Sequence, residues 1–332
     1  MQSNNTRIEI GNFLSELVAD VQLESEFFIA NFMNLSCGFH LGRNVPHVNL
    51  IKTAFLKSEQ ADCDINIFVS TDTYFFPPRD SKFPEIIQRL HPATNRFGDY
   101  RFSADPSGNF LYFYDIDKKI GGVWISPKVS DAPEMLITPF RALISWIMEG
   151  AEAVILHASS FTVEGKNILL AGPSGSGKST IAFEALVRSE IVICDDAVAM
   201  TRNKCFPIYS KMKLKSSVDS IKIAGKEVKC EQVGSKSVLD LTQVLNFQLS
   251  GYLPDFLLFP SLALKSKFDD LPKNEALKKI ITDSHSETLG SSIGALRLMN
   301  LAFSNVRTIA WCLDPNPIVN WEELKSLVSK HD

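Results

Sequence analysis

The chain has 332 residues, 45% hydrophobic and 22% charged, enough for about two domains with real cores, and this excludes disorder as the dominant state. Lys and Arg number 34 against 38 Asp and Glu, so the formal charge is −4; that balance argues against nucleic acid as the main partner. The six cysteines, Cys37, Cys63, Cys194, Cys205, Cys230 and Cys312, form no CxxC pair. Such scatter suits reduced thiols and a cytoplasmic location, not a disulfide framework or a zinc site. The start, MQSNNTRIEIGNF, lacks the basic-then-apolar order of a signal peptide. The longest apolar candidate, Tyr252 to Leu264, is broken by Pro254, Asp255 and Pro260, so no membrane partner is expected.

In chain order, Phe13 to Phe32 is expected to contain helix. Pro77-Pro78 and Ser107-Gly108-Asn109 punctuate loops. Ile65 to Ser70 reads as a strand, and Phe110 to Ile116 and Ile120 to Ser126 as two strands joined by a turn at Asp117-Lys118-Lys119. The many phenylalanines of residues 1–133 read as core. His40, His47 and His91 have no metal-ligand spacing. Pro133 is expected to open a helix with Leu136, Ile137, Phe140, Leu143, Ile144, Ile147 and Met148 at helical spacing and Gly150 at its end. Strands at Val154–Leu156, Ile168–Ala171 and Ile191–Cys194 and a helix at Thr180–Arg188 make a βαβ unit, so this half is α/β. The 168–171 and 191–194 strands are expected side by side and parallel, with a right-handed crossover. Residues 206–245 read as Lys-rich and β- or loop-like. Then come a strand at Phe256–Phe259, helices near Asn274–Thr282 and Ser291–Ala302, a strand at Thr308–Leu313 and a helix at Trp321–Val328.

Between the second strand of that unit and its helix stands Gly172-Pro173-Ser174-Gly175-Ser176-Gly177-Lys178-Ser179, followed by Thr180. This is the GxxxxGK[ST] phosphate loop. Its four fixed positions arise by chance in about one such chain in a hundred, and the strand-then-helix context lowers that further. Backbone N–H groups in such a loop converge on phosphate oxygens at the positive end of the helix. Gly172, Ser174, Gly175, Ser176, Gly177, Lys178, Ser179 and Thr180 are therefore the candidate nucleotide-binding residues. Lys178 can reach the β- and γ-phosphates, and Ser179 can ligate Mg²⁺. Asp195-Asp196 ends the next strand, on the edge where parallel sheets meet their ligands. Two acids there can divide the metal shell and proton acceptance between them. No GxSxG is present.

The run Leu156 to Thr180, LHASSFTVEGKNILLAGPSGSGKST, and the approach Pro139 to Trp146, PFRALISW, resemble the HPr kinase/phosphorylase superfamily, above all its shorter members outside the phosphotransferase system. His157 stands 15 residues before Gly172 and Asp195 stands 17 after Lys178, as in that family. The resemblance is specific over residues 138–200, looser beyond, and absent before 130. It implies an α/β P-loop kinase domain of the HPr kinase type over 134–332; the Phe- and β-former-rich residues 1–133 are expected to form a smaller strand-rich α+β domain before it that shapes or covers the acceptor side. It further implies ATP and Mg²⁺ as cofactors, Asp195 as general base toward an acceptor hydroxyl, Asp196 with Ser179 in the metal shell, and His157 tuning the acid pair. It hints at a homo-oligomer. The family's Gly- and Ile-rich signature with its acidic ligand is missing: Tyr209 to Ile223 reads YSKMKLKSSVDSIKI, without that glycine pattern or a Glu. This sets the chain apart from the branch that phosphorylates HPr, and the acceptor becomes a small molecule or a Ser-containing peptide or protein.

Residues 211–236 hold seven lysines against Asp219, Glu227 and Glu231. A solvated hairpin accounts for most of them; the family resemblance points to Lys213, Lys215 and Lys236 as the ones to face phosphates or an anionic acceptor. Two alternatives to a kinase stay open at this point. One is a regulatory module that binds the nucleotide without transfer. The other is a phosphoryl-transfer enzyme similar to the phosphoenolpyruvate carboxykinases.

Overall fold

Residue-by-residue strand pairing organises each half of the chain. The computed structural model describes residues 14–15, 17–19, 21, 25–58, 62–71, 96–97, 99–104, 108–214, 218–244, 250–284 and 292–330. Pro77-Pro78, His91 and Lys215 lie outside them. Contacts divide the chain into two units, Met1–Ala151 and Glu152–Asp332.

In the first unit, β1 (Ser25–Phe32) and β2 (Leu35–Gly42) form an antiparallel hairpin. Helix α1 (Val48–Ala54) leads to β3 (Ile65–Ser70), which is parallel to β2. Strands β4 (Arg96–Phe97), β5 (Tyr100–Ala104), β6 (Phe110–Asp115) and β7 (Ile120–Ile125) complete a seven-stranded sheet of order β1-β2-β3-β7-β6-β5-β4. The expected turn between β6 and β7 is present: Lys119 takes φ 53° and Asp115 Oδ1 accepts the Lys118 N–H at 3.0 Å. Among the described residues of the Phe13–Phe32 segment, 14–15, 17–19 and 21 are helical, and Leu14, Leu17 and Val21 bury against Phe68, Phe113 and Trp124. The segment's second half is β1, because hydrogen bonding to β2 overrides local propensity there.

The helix expected from Pro133 also starts late. Pro133–Leu136 is a 3₁₀ turn, and α2 spans Arg141–Gly150. Phe140 breaks the path at φ 63°, and its ring is seated among Phe39, Phe55 and Phe110. That aromatic cluster ties α2 to the first unit, so the contacts divide the chain after Ala151, not at 133/134.

The second unit is mixed α/β. Strands β8 (Val154–Leu156), β9 (Ala158–Val163) and β10 (Lys166–Ala171) precede helix α3 (Lys178–Val187) and β11 (Val192–Cys194). Strand β10 runs parallel to β19 (Phe256–Leu262), which runs parallel to β21 (Arg307–Leu313); β20 (Lys267–Asp270) is an antiparallel edge. The order is β11-β9-β10-β19-β21-β20. The expected parallel neighbours, β10 and β11, are therefore not paired. Strand β9 lies between them, antiparallel to both, so they share a direction without a hydrogen bond. The sequence of this strand, ASSFTV, carries three hydroxyls in the middle of the sheet. Each hydroxyl is nonetheless spent: Ser159 on Asp195, Ser160 on the Ile168 carbonyl and Thr162 on Glu190, which removes the cost of burying it.

Successive side chains of β10 point to opposite faces. Ile168 and Leu170 pack with Phe161, α3 and α6 (Pro317–Ser329); Leu169 and Ala171 pack with α4 (Lys273–Asp283) and α5 (Ser292–Ala302). Strand β12 (Val198–Met200) pairs with β8 and β13 (Cys205–Pro207). The Lys-rich segment forms β14 (Lys211–Leu214), β17 (Glu231–Val233) and β18 (Lys236–Asp240) in one small sheet and a hairpin of β15 (Ser220–Ile223) and β16 (Lys226–Lys229). Among the described residues no helix is long and apolar enough to cross a membrane.

The overlooked strand is central to this core. Phe161 is fully buried, with its ring 6.3 Å from that of Trp321. Phe161→Ala is expected to cost about 3–5 kcal/mol of stability, read as a fall in the midpoint of chemical denaturation followed by circular dichroism.

Candidate functional site

Strands β10, β19 and β21 end on one edge of the sheet, and the glycine loop leaves β10 there. Helix α3 begins at Lys178, earlier than the expected Thr180, so Lys178 and Ser179 stand in its first turn. The opening N–H groups of a helix have no intrahelical acceptor and carry the positive end of its dipole. Gly177 caps the helix at φ 105°, and a Cβ there would come within 2.5 Å of Leu313 Cδ1 on β21. Only glycine meets both demands.

Lys178 is 5% exposed, and its Nζ donates to the carbonyls of Gly172 (2.6 Å) and Pro173 (3.0 Å), which holds the ammonium over the loop. The Ser176 hydroxyl is buried with no hydrogen-bond partner among the described residues. A Cβ on Gly172 would stand 3.2 Å from that oxygen. An orphaned buried donor in a glycine cradle fits a phosphate oxygen.

The acids separate. Asp195 is 1% exposed, and its Oδ1 accepts hydrogen bonds from Ser159 Oγ (2.6 Å) and Ser179 Oγ (2.9 Å). Burial, then the neighbouring Asp196 charge, raises the Asp195 carboxyl above its usual range; the two hydroxyls and Lys213 act the other way. Asp196 turns aside through a left-handed φ of 78°, which is how two adjacent acids reach one edge. Its Oδ2 accepts from Lys213 Nζ at 2.8 Å, and its Oδ1 lies 3.3 Å from His157 Nδ1. His157 Nδ1 also lies 3.0 Å from the Asp196 carbonyl. Both partners are acceptors, so Nδ1 carries the hydrogen. The residue expected beside Ser179 was Asp196; the one found there is Asp195.

The lysine segment divides. Lys211 pairs with Asp240 at 3.1 Å and Lys213 with Asp196, while Lys222, Lys226, Lys229 and Lys236 are exposed. Two residues at the end of α4 join the site without any sequence signal. Ser284 Oγ accepts the His157 N–H at 3.0 Å. Asp283 is raised chiefly by burial, against the lowering effect of Lys279, Lys178 and His157. Ser159 was visible only inside the quoted run LHASSF.

No three His, Cys, Asp or Glu side chains cluster to hold a metal among the described residues. The pair Ser179 and Asp195 fits Mg²⁺, which takes one or two protein oxygens and completes its shell with substrate phosphates and water.

No protein-family model matches this chain, and no curated protein does. Among solved structures, the Hpr(Ser) kinase/phosphatase from Coxiella burnetii is similar at a TM-score of 0.26 and 11% identity, over 53% of this chain and 89% of that one. At that TM-score the likeness identifies neither the fold nor an activity.

Two outcomes are expected here. Gly177→Ala should lower the melting temperature, because its Cβ meets Leu313 at a left-handed φ, as a thermal scan would show. Asp195→Asn keeps an acceptor for both hydroxyls and removes a buried charge. Because the folded carboxyl is raised above its usual 3.8, its ionised form costs stability at high pH and nothing below 3.8. The Asn variant should therefore gain on the parent as pH rises from below 3.8, then level off once the folded carboxyl is ionised. Melting temperatures across pH check this.

Proposed function

We propose that this protein is an ATP- and Mg²⁺-dependent phosphotransferase that moves the γ-phosphoryl group to a hydroxyl of a small molecule or a Ser-containing peptide or protein. The observation that carries the reading is the 2.9 Å hydrogen bond from Ser179 to Asp195 at the foot of the glycine loop. It brings together, across 16 residues of sequence, the hydroxyl and the carboxylate that a phosphate-bound cation needs.

The chemistry is mostly positioning and charge neutralisation. The loop and the α3 N-terminus bind the phosphates, and Lys178 offsets charge that develops on them. Ser179 and Asp195 would hold Mg²⁺, which when bound neutralises the phosphate oxygens. Asp196 serves the acceptor. Lys213 and His157 hold its carboxylate in place, and it takes the hydroxyl proton as the new O–P bond forms and the bond to the β-phosphate breaks. These roles exchange those that the resemblance implies for Asp195 and Asp196.

The test is γ-labelled ATP with a panel of free serine, other small hydroxyl metabolites, HPr and Ser-containing peptides. Transfer to one class is expected. Lys178→Ala should abolish transfer or cut it by about 10²–10³-fold while the fold is kept. Asp196→Asn should keep Mg·ATP affinity and lose about 10²–10⁴-fold in transfer. Asp195→Asn should raise the Mg²⁺ concentration needed. Tight Mg·ATP binding with no phosphorylated product across the panel would replace this reading by a nucleotide-binding module. Parent-like transfer by Lys178→Ala would remove the phosphate-loop reading altogether.

A further inference from the structure

Ser159 has no part in the roles assigned so far, yet it is the residue most closely tied to Asp195. It sits inside β9, fully buried, between the two strands that β9 separates. Its hydroxyl reaches across 36 residues of sequence to Asp195 Oδ1 at 2.6 Å, closer than the Ser179 hydroxyl on the same oxygen at 2.9 Å. The next hydroxyl along the strand behaves differently. Ser160, equally buried, donates to the Ile168 carbonyl of the adjacent strand, away from the acid pair.

Two donors on one carboxylate oxygen fix the rotation of the group about its Cβ–Cγ bond. Among the described residues no donor reaches Oδ2 of Asp195. A side chain that must meet a cation in one orientation needs such a support on a rigid element, and a central strand is more rigid than the loop that carries Asp195.

We propose that Ser159 is a positioning residue for the divalent cation: its hydroxyl holds Asp195 through Oδ1, together with Ser179, and leaves Oδ2 to the cation. This rests on the phosphotransferase reading, and it predicts an effect on metal affinity separable from nucleotide affinity.

The probe is Mn²⁺, with unbound Mn²⁺ followed by electron paramagnetic resonance as protein and ADP are added, and metal-free ADP binding measured by calorimetry. The parent should bind Mn²⁺ in the presence of ADP. Ser159→Ala should weaken Mn²⁺ by about 10–100-fold with metal-free ADP affinity unchanged. Ser159→Thr, which restores the hydroxyl, should recover most of the loss. Ser160→Ala should bind Mn²⁺ as the parent does. Should Ser159→Ala fail to fold in a thermal scan, Ser159→Cys keeps the volume with a weaker donor and should show a smaller loss in the same direction. Parent-like Mn²⁺ affinity in a folded Ser159→Ala or Ser159→Cys overturns the proposal. So does an equal loss in Ser160→Ala, which would mark a general disturbance of β9. A parent that binds no Mn²⁺ with ADP present overturns the phosphotransferase reading itself, and the proposal with it.

Discussion

A carboxylate taken out of water must be held by donors or it neutralises, and Asp195 is almost wholly out of water. Its two hydroxyl partners come from different elements, Ser159 from β9 and Ser179 from α3. Burial, joined by the neighbouring Asp196 charge, outweighs the two hydroxyls and Lys213, and the carboxyl is raised. The sheet order follows the same constraint. With β9 between β10 and β11, the β9 side chain of Ser159 faces the end of β11 while β10 delivers the loop to the same edge.

The second acid shows how the backbone assigns different work to neighbours. Asp196 adopts a left-handed conformation that Asp tolerates better than most residues. This swings its carboxylate to Lys213 on β14 and to His157 between β8 and β9. The His157 main chain is pinned in turn by Ser284 at the end of α4. Three distant segments thus meet beside the acid pair. A network whose members each have a partner is rigid, because no polar group gains by leaving.

The glycine loop depends on packing as much as on its own glycines. Gly177 is required because Leu313, from the far parallel strand β21, presses on the position its Cβ would fill. The same strand brings Trp311 and Leu313 into the core that seats α3. The loop is therefore set by the sheet beneath it, which fixes where Lys178 and Ser179 emerge.

Local spacing made much of this legible. The glycine loop, the lysine and serine that follow it, the acid pair, and most strands and helices of the second unit are short-range patterns, and short-range patterns survive in any tertiary context that permits them. Strand β9 was not legible, because a run with three hydroxyls looks solvent-facing until each partner is known. The β1 strand and the late start of α2 were hidden for a related reason. One is decided by its pairing with β2, and the other by an aromatic cluster that forces Phe140 out of helical conformation. Which acid meets Ser179 was decided only in three dimensions. Adjacent residues on a strand are equivalent to a sequence pattern, and the φ of Asp196, with a hydroxyl delivered from β9, breaks that equivalence.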